Sequence, residues 1–406
     1  MSFRTALSGI NAATADLNVT SHNIANVNTP GFKGSRTDFA EVFSVSPFGL
    51  SRNATGSGVR VASVSQQFIQ GNIEFTNNNL DLAISGQGFF TVSDKGMLAY
   101  TRAGNFAPDR NGFVMNPAGQ RLQVFPPIPG TNTFDTGRMV DLRLSITESA
   151  PTATTSVGIG ANLPARAEPP VVAPFDPGDP KSYNHTTSLT IYDSLGVAHV
   201  ATMYFVKTAN ANEWEMYTSI DGTAVGGAQT LQYSETGTLV VPASGSITLP
   251  AHTPGTGAAD LTLTLEIGDS TQYGERFAVN ELRQNGAASG RLTGIEVSAE
   301  GVVTARYTNG QSIPLGQVAL TSFTNPQGLQ KLGDNAWGET FASGQPIRGN
   351  AGTSSFGLIE SGALEGSNVD LTEQLVNMIT AQRNFQANAQ TISVNDQVTQ
   401  TVLNIR

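Results

Sequence analysis

Apolar residues recur at seven-residue intervals near both ends of the chain. Because about 7 residues complete two helical turns, such a repeat keeps an apolar stripe on one helix face. The stripe positions and their neighbours are Phe3, Leu7, Ile10, Leu17 and Ile24 near the N-terminus, and Leu371, Leu375, Met378, Phe385, Ile392, Val398 and Val402 near the C-terminus. The pattern predicts two long amphipathic helices that assemble with each other and with other copies of the chain.

Local signals place the ends of these helices. The first is predicted from Phe3 to Val27, because Pro30 and Gly31 follow and Pro disfavours helix at the preceding residue. The second is predicted to begin at 368–370, where Asp370 and Glu373 have the spacing of an N-capping pair, and to run to Asn404. A helical hairpin confined to an ordinary intramolecular core is the alternative interpretation.

The region between the helices has the pattern of β structure. Leu80, Leu82 and Ile84 alternate with Asp81 and Ala83, as expected of a half-buried strand. Similar alternation occurs at 201, 203 and 205 and at 261, 263, 265 and 267, and Asn-Gly pairs at 111–112 and 309–310 predict hairpin turns. We therefore predict a mixed, mainly β fold, with nested β domains and N- and C-terminal helices that form a coiled-coil-like inner domain.

Composition shifts suggest how the domains are nested. Prolines crowd into 164–180, which indicates a boundary near residue 150. The predicted parts are a terminal helical polymerisation domain (1–30 and 368–406), a connecting region (31–58 and 358–367), an inner β domain (59–148 and 284–357) and an inserted outer β domain (149–283). The β structure is expected to begin near Val59. An insertion at a surface turn is tolerated because its two ends can lie close together.

Composition and charge exclude several classes of function. The net charge of −10 argues against nucleic-acid binding. The absence of cysteine excludes disulfides, thiolate catalysis and Cys-based zinc sites. No apolar run reaches the length of a membrane span, so we expect no membrane insertion. The N-terminal residues lack the layout of a cleavable secretory signal, so if the protein leaves the cell, we expect it to be exported by another route.

A search for catalytic and metal-binding patterns finds no convincing site. The four histidines lack the spacing of a metal pair. Glu213 and Glu215 share a strand face, as a glycosidase pair could, but a solvated face with Trp214 in the core is the favoured interpretation. Asp109–Gly112 resembles a fragment of a calcium loop and is better interpreted as a hairpin turn. The sequence therefore predicts no catalytic residue, no metal site, no cofactor and no enzyme.

The terminal segments resemble the bacterial flagellar axial family, which comprises rod, hook and hook-associated proteins. The matching residues lie in Ala6–Ala13, Asn23–Asn26, Thr29–Lys33 and Ser361–Asp370, with Gly86–Phe90 and Thr101–Phe106 similar to the family's inner β domain. The motif positions singled out are Asn23, Asn26, Pro30, Gly31, Phe32, Ser367, Asn368 and Asp370. The inserted segment, with Tyr192–Gly196, Tyr204–Lys207 and Trp214, is most similar to hook members of the family.

This resemblance implies a structural subunit of a flexible helical tube, the universal joint that transmits motor torque from rod to filament. It implies contacts with further copies of the chain, the distal rod protein, the hook-filament junction protein, the hook cap protein and the flagellar type III export apparatus. The implied location is extracellular, in the basal body and hook. A distal rod protein of the same family and a secreted β-rich adhesin or enzyme are the alternatives.

Overall fold

The computed structural model describes residues 2–42, 56–131, 133–144, 148–353 and 355–404. Two α-helices bracket the β strands, as the sequence predicts. The first part of the chain contains α1 (Ser2–Ala25), β1 (Ser35–Glu41), β2 (Val59–Gln66), β3 (Ile73–Phe75), β4 (Leu82–Ser85), β5 (Phe89–Asp94), β6 (Met97–Thr101), β7 (Ala107–Pro108), β8 (Val114–Met115), β9 (Arg121–Phe125) and β10 (Val140–Asp141).

The middle contains β11 (Ser156–Asn162), β12 (His185–Tyr192), β13 (Ala198–Lys207), β14 (Glu213–Ile220), β15 (Thr223–Ala224), β16 (Gln229–Tyr233), β17 (Leu239–Val241), β18 (Ser246–Thr248), β19 (Thr264–Glu266) and β20 (Ala278–Gln284). The last part contains β21 (Leu292–Val297), β22 (Val302–Tyr307), β23 (Ser312–Val318), β24 (Leu320–Ser322), β25 (Gln330–Gly333), β26 (Ala336–Gly338), β27 (Ile347–Gly349), β28 (Leu358–Ser361), β29 (Ala363–Glu365) and α2 (Leu371–Asn404), with short 3-10 turns at Pro326–Gly328 and Phe341–Ser343.

Local contacts explain where α2 starts and how the chain turns after α1. The Asp370 side chain accepts hydrogen bonds from the backbone N–H groups of Thr372 (2.7 Å) and Glu373 (3.0 Å), so it caps the start of α2 as predicted. Helix α1 ends at Ala25, two residues before the predicted Val27, and hydrogen-bonded turns carry the chain to Gly31.

The chain folds as two compact units, which we describe separately. Unit 1 comprises Met1–Ile146, Gly294–Ala305 and Ile313–Arg406, and unit 2 comprises Thr147–Thr293 and Arg306–Ser312. The four-part division proposed from the sequence remains a prediction, and residues 43–55 of its connecting region lie outside the described residues.

Unit 1 is built around a large sheet in the order β21-β22-β23-β9-β5-β6-β26-β25, with β7, β8, β10, β24 and β27 paired to its members. The last strands of the chain return to early ones, because β28 pairs with β4 and β29 with β3, both antiparallel. The expectation that β structure begins near Val59 was wrong, since β1 precedes it and pairs antiparallel with β2. Both strands of this ribbon are largely exposed, so β1 lacks the apolar alternation that would have revealed it.

The core of unit 1 differs in one place from the predicted pattern. Strand β4 begins at Leu82, and Ala83 is as fully buried as Leu82 and Ile84. The predicted half-buried alternation was therefore wrong at this strand, which has cover on both faces. Its small Ala83 side chain permits that close packing.

Unit 2 contains two sheets around one apolar core. A six-stranded antiparallel sheet has the order β12-β13-β14-β16-β17, with β15 beside β14, and a four-stranded sheet has the order β18-β19-β11-β20. The predicted inward positions Ala201, Met203 and Phe205 are buried, and so are Leu261, Leu263, Leu265 and Ile267. The proline-rich tract at 164–180 contains no strand among its residues, all of which are described.

Candidate assembly site

The two terminal helices pack against each other in an antiparallel pair. Near one end, the Asn23 side chain donates to Gln374 Oε1 at 3.1 Å. Near the other, Gly9 faces Asn388, and a Cβ atom added to Gly9 would lie 2.7 Å from Asn388 Cγ. The pairing is therefore close, and α1 meets α2 where its side chains are small.

Small and polar residues occupy the buried face of the helix pair. The buried positions of α1 are Ala6, Ala12, Ala13, Thr20 and Asn23, and Ala381 is the buried position recorded for α2. The spacing from Ala6 to Gly9, Ala13, Thr20 and Asn23 is helical, but its residues are too small or too polar to register as an apolar repeat. Sequence reasoning therefore missed these positions, of which Gly9 and Asn23 contact α2.

Most of the predicted apolar stripe lies on the accessible side of this pair. The exposed fraction is 54% for Phe3, 38% for Phe385 and 63% for Val402. The stripe residues classed as exposed are Phe3, Leu7, Leu371, Leu375, Phe385, Val398 and Val402, and Ile10, Leu17, Ile24, Met378 and Ile392 are half-buried. Phe3 and Ile392 both line a cavity of about 500 Å³ instead of closing a core. An accessible apolar stripe of this length is typical of a surface that another protein covers.

Two asparagines among the motif positions, Asn23 and Asn368, bind the end of α1 and the segment before α2 to the backbone around β1 and β2. The Asn23 side chain bonds both the N–H (2.9 Å) and the C=O (2.8 Å) of Ser35 at the start of β1. The Asn368 side chain accepts from Gly34 N–H at 2.8 Å and donates to Gln67 C=O at 2.6 Å. Side-chain amides suit this role because each supplies both a donor and an acceptor.

Gly31 and Phe32 hold the segment after α1 against the rest of unit 1, and the Pro30 C=O accepts from the Asn335 side chain at 3.0 Å. Gly31 has φ +68°, and its N–H donates to Glu365 C=O at 2.7 Å. Phe32 is buried, with the His22 ring edge-on at 5.5 Å and Lys331 Nζ 5.6 Å from its ring centroid. The segment is therefore held by backbone pairing and by an enclosed aromatic ring.

The remaining motif positions act locally. Asn26 donates to His22 C=O at 2.9 Å and accepts from the Thr29 hydroxyl at 3.2 Å, which supports the turn after α1. Ser367 accepts from Val369 N–H at 3.3 Å just before the Asp370 cap. These contacts direct the chain into and out of the helices.

Three charged residues that are distant in sequence meet in the interior of unit 1. Lys33 Nζ lies 2.5 Å from Glu365 Oε1, and Arg102 Nη1 lies 3.0 Å from Glu365 Oε2. All three side chains are at most 7% exposed. Burial lowers the pKa of Lys33, and the contact with Glu365 opposes this shift. We call Lys33, Arg102 and Glu365 the charge cluster.

In unit 2, the predicted motif Tyr192–Gly196 contributes Asp193 to a hydrogen-bonded contact with the buried His199. His199 Nδ1 lies 2.6 Å from Asp221 Oδ2, and His199 Nε2 lies 3.3 Å from Asp193 Oδ2. Asp193 Oδ1 also accepts from the N–H groups of Leu195 and Val197. The sequence search considered His199 only as a metal ligand and so missed this contact.

The pKa values of His199 and Asp193 predict how the stability of unit 2 depends on pH. Burial alone would lower the pKa of His199, but the hydrogen bonds to Asp221 and Asp193 outweigh it and raise the pKa. The stabilisation from the histidine is therefore complete below its unfolded-state pKa of about 6.5 and is lost as pH rises through the folded-state value. Burial opposes ionisation of Asp193, but its hydrogen bonds to Thr256, Val197, His199 and Leu195 lower its pKa to about 2, so its contribution is lost only as pH falls from about 4 towards 2.

We expect unit 2 to unfold at lower urea concentration at pH 9 than at pH 6. Trp214 fluorescence in a Trp337→Phe background reports this unit, because the chain has only these two tryptophans. His199→Gln keeps a polar side chain at this position, but glutamine cannot be protonated. The unfolding midpoint of this variant should therefore differ much less between pH 6 and pH 9. An equal change of the unfolding midpoint with pH in the wild-type protein and in His199→Gln would contradict the role of His199.

The structure shows the surroundings of the two motifs singled out in the sequence, Glu213–Glu215 and Asp109–Gly112. Trp214 is fully buried between Glu213 and Glu215, and the Glu215 carboxylate accepts from the Tyr217 hydroxyl at 2.8 Å. Asp109 Oδ1 accepts from the N–H groups of Asn111 and Phe113, which makes the 109–113 segment a hairpin turn. Among the described residues, no group of His, Asp or Glu side chains is arranged to hold a metal ion. Neither of the described helices is long and apolar enough to cross a membrane.

Family models match most of the chain in consecutive segments. Residues 3–33 match the flagella basal body rod protein model, and residues 83–162 match the flagellar hook protein FlgE/F/G D1 domain. Residues 162–287 match the flagellar basal body protein FlaE D2 domain, and residues 360–405 match the flagellar basal body rod FlgEFG protein C-terminal model.

Full-length relatives carry one common name. The chain is 39% identical to the flagellar hook protein FlgE of Salmonella typhimurium, with 100% of both chains covered. It is 34% identical to the flagellar hook protein FlgE of Rhizobium meliloti, with 99% of this chain and 98% of the relative covered. The crystal structure of Helicobacter pylori flagellar hook protein FlgE2 has a similar fold, with a TM-score of 0.53, 16% identity and coverage of 72% of this chain and 100% of that one. On the full-length identities, the chain belongs to the flagellar hook protein FlgE family.

Proposed function

We propose that this protein is the structural subunit of a flagellar hook and that it polymerises through the exposed apolar stripe of its terminal helices. The observation that carries the assembly mechanism is the stripe itself. Helices α1 and α2 contact each other at Gly9 with Asn388 and at Asn23 with Gln374, and seven of the twelve stripe residues are exposed. Repeated contact between non-identical faces of one chain produces a helical tube instead of a closed ring.

The proposed assembly fits the family's place in the flagellum. The subunit would join the rod to the filament as a flexible universal joint that passes torque to the filament. Its proposed contacts are with further copies, the distal rod protein, the hook-filament junction protein and the hook cap protein. We further propose export through the flagellar type III apparatus, an extracellular position in the assembled flagellum, and a role without catalysis.

The alternatives explain fewer of the observations. A distal rod protein of the same family would not require the inserted unit 2, and the hook relatives align along their whole length. A secreted adhesin or enzyme would not require an accessible apolar stripe on paired terminal helices.

Substitution of Phe385 tests the mechanism. We expect Phe385→Asp to abolish hook assembly, because the assembled interface would enclose an unpaired carboxylate at a cost of several kcal/mol, about 2–5 in proteins. Phe385→Leu keeps an apolar side chain and should assemble normally. The measurement is electron microscopy of basal bodies from a deletion strain that expresses each variant.

The same experiment separates the alternatives. The deletion strain should show complete rods without hooks, and the wild-type gene should restore the hooks. Truncated rods would assign the protein to the distal rod instead. Normal hooks built from Phe385→Asp would refute assembly through this part of the stripe.

A further inference from the structure

We propose that the charge cluster is an ionic lock that prevents the N-terminal segment from docking until the C-terminal segment has supplied Glu365. Its three members belong to three separate parts of unit 1. Lys33 lies just after the turn that follows α1, Arg102 follows β6, and Glu365 ends β29 shortly before α2. Glu365 is separated from Lys33 by 332 positions and from Arg102 by 263.

The carboxylate is at the centre of the contacts. Glu365 Oε1 also accepts from Gly71 N–H at 2.9 Å, and the Glu365 C=O accepts from Gly31 N–H at 2.7 Å. A single residue of the C-terminal segment therefore binds the N-terminal segment through both its side chain and its backbone.

The two cations are compatible only while the anion is present. Both approach the same carboxylate, so without it two like charges would be close together in a buried site where water screens them poorly. Backbone carbonyls bind each cation, Ile69 C=O with Lys33 (2.7 Å) and Gly86 C=O with Arg102 (2.8 Å), but they carry no net charge to offset the repulsion. Docking of Lys33 beside Arg102 is therefore opposed until Glu365 arrives.

The order of the segments along the chain gives this lock a consequence. Synthesis proceeds from the N-terminus, so both cations exist before Glu365 does. An incomplete chain also lacks β28 and β29, the partners of β4 and β3. Such a chain cannot hold the 29–34 segment in place, and α1, which this segment connects to the sheet, is not positioned. Only a chain that includes the C-terminal segment presents an ordered helix pair.

Hydrogen exchange of the full-length, unassembled chain tests the lock. Glu365→Gln preserves the shape of the side chain and removes its charge, and we expect exchange at 29–42 to rise by about a hundredfold, as for a buried ion pair that loses one partner. Glu360→Gln, at a half-buried position of the same segment, is the matched control and should leave that exchange nearly unchanged.

The decisive measurement is the effect of Lys33→Met on exchange, which should have opposite directions in the wild-type and Glu365→Gln backgrounds. In the wild-type background, Lys33→Met should accelerate exchange at 29–42, because Glu365 loses a partner. In the Glu365→Gln background, the same substitution should slow it, because the repulsion with Arg102 disappears. If Glu365→Gln does not fold, the proposal requires that the double variant regain the folded-state fluorescence of Trp337, measured in a Trp214→Phe background.

Two outcomes would overturn the lock. One is that Lys33→Met accelerates exchange at 29–42 equally in both backgrounds, which would mean that Glu365 acts only through packing. The other is a double variant that is no better folded than Glu365→Gln. Both are measured without polymer, so the result is independent of the assembly experiment on Phe385.

Discussion

Gly31→Ala should destabilise unit 1 by about 3–5 kcal/mol, the sum of an unfavourable backbone conformation and a steric overlap. Gly31 has φ +68°, where an L-residue is disfavoured. An added Cβ would also overlap the Ala103 nitrogen and lie 2.6 Å from the Arg102 carbonyl carbon. Neither neighbour can move easily, because both are backbone atoms next to the charge cluster.

Gly119→Ala is the matched control for Gly31→Ala. Gly119 has φ +82° in the Asn116–Gly119 turn of unit 1, and a Cβ there would meet nothing within 4 Å. We expect a cost of about 1 kcal/mol, from the backbone conformation alone. Urea unfolding followed by Trp337 fluorescence in a Trp214→Phe background measures both variants. Equal losses would show that close approach of the backbone at Gly31 contributes nothing.

Trp214→Ala should destabilise unit 2 by about 3–5 kcal/mol, because it leaves a large cavity between the two sheets. Trp214 is fully buried in the same apolar cluster as Met203, Phe205 and Leu231. Its loss removes packing contacts that the surrounding strands cannot replace without moving. Hydrogen exchange of β13 and β14 should rise accordingly.

Leu195→Ala supplies the comparison for Trp214→Ala. Leu195 is 59% exposed in the same unit, so we expect a change within about 0.5 kcal/mol. In Trp214→Ala, Trp337 remains as the fluorescent probe of unit 1, and its unfolding transition serves as an internal reference. Unchanged exchange of β13 and β14 in Trp214→Ala would contradict the assignment of Trp214 to the core.

Local chemistry explains the features that could be predicted from the sequence. The cap at Asp370, the end of α1 within two residues of the predicted Val27, and the Asn-Gly turns each depend on a few adjacent residues. Alternation revealed the buried faces of β13 and of the 261–267 segment for the same reason, since successive side chains of a strand point to opposite faces. The family resemblance was also confirmed, because the motifs that carry it are contiguous in the chain.

Long-range pairing explains what the sequence could not reveal. Nothing near Glu365 identifies Lys33 and Arg102 as its partners, because the strand order of unit 1 brings them together. Likewise, neither Asp193 nor Asp221 is marked in the sequence as a partner of His199. Ribbon strand β1 was missed because its side chains are mostly exposed and carry little apolar pattern.

The terminal helices show most clearly what the sequence determines and what only the tertiary structure decides. The seven-residue repeat by itself determined that two long helices exist and that each carries an apolar stripe. Only the tertiary structure decided where they join, because α1 meets α2 at Gly9 and Asn23, which produce no apolar signal. Because small and polar residues make this contact, seven of the twelve stripe side chains remain exposed and the other five are half-buried.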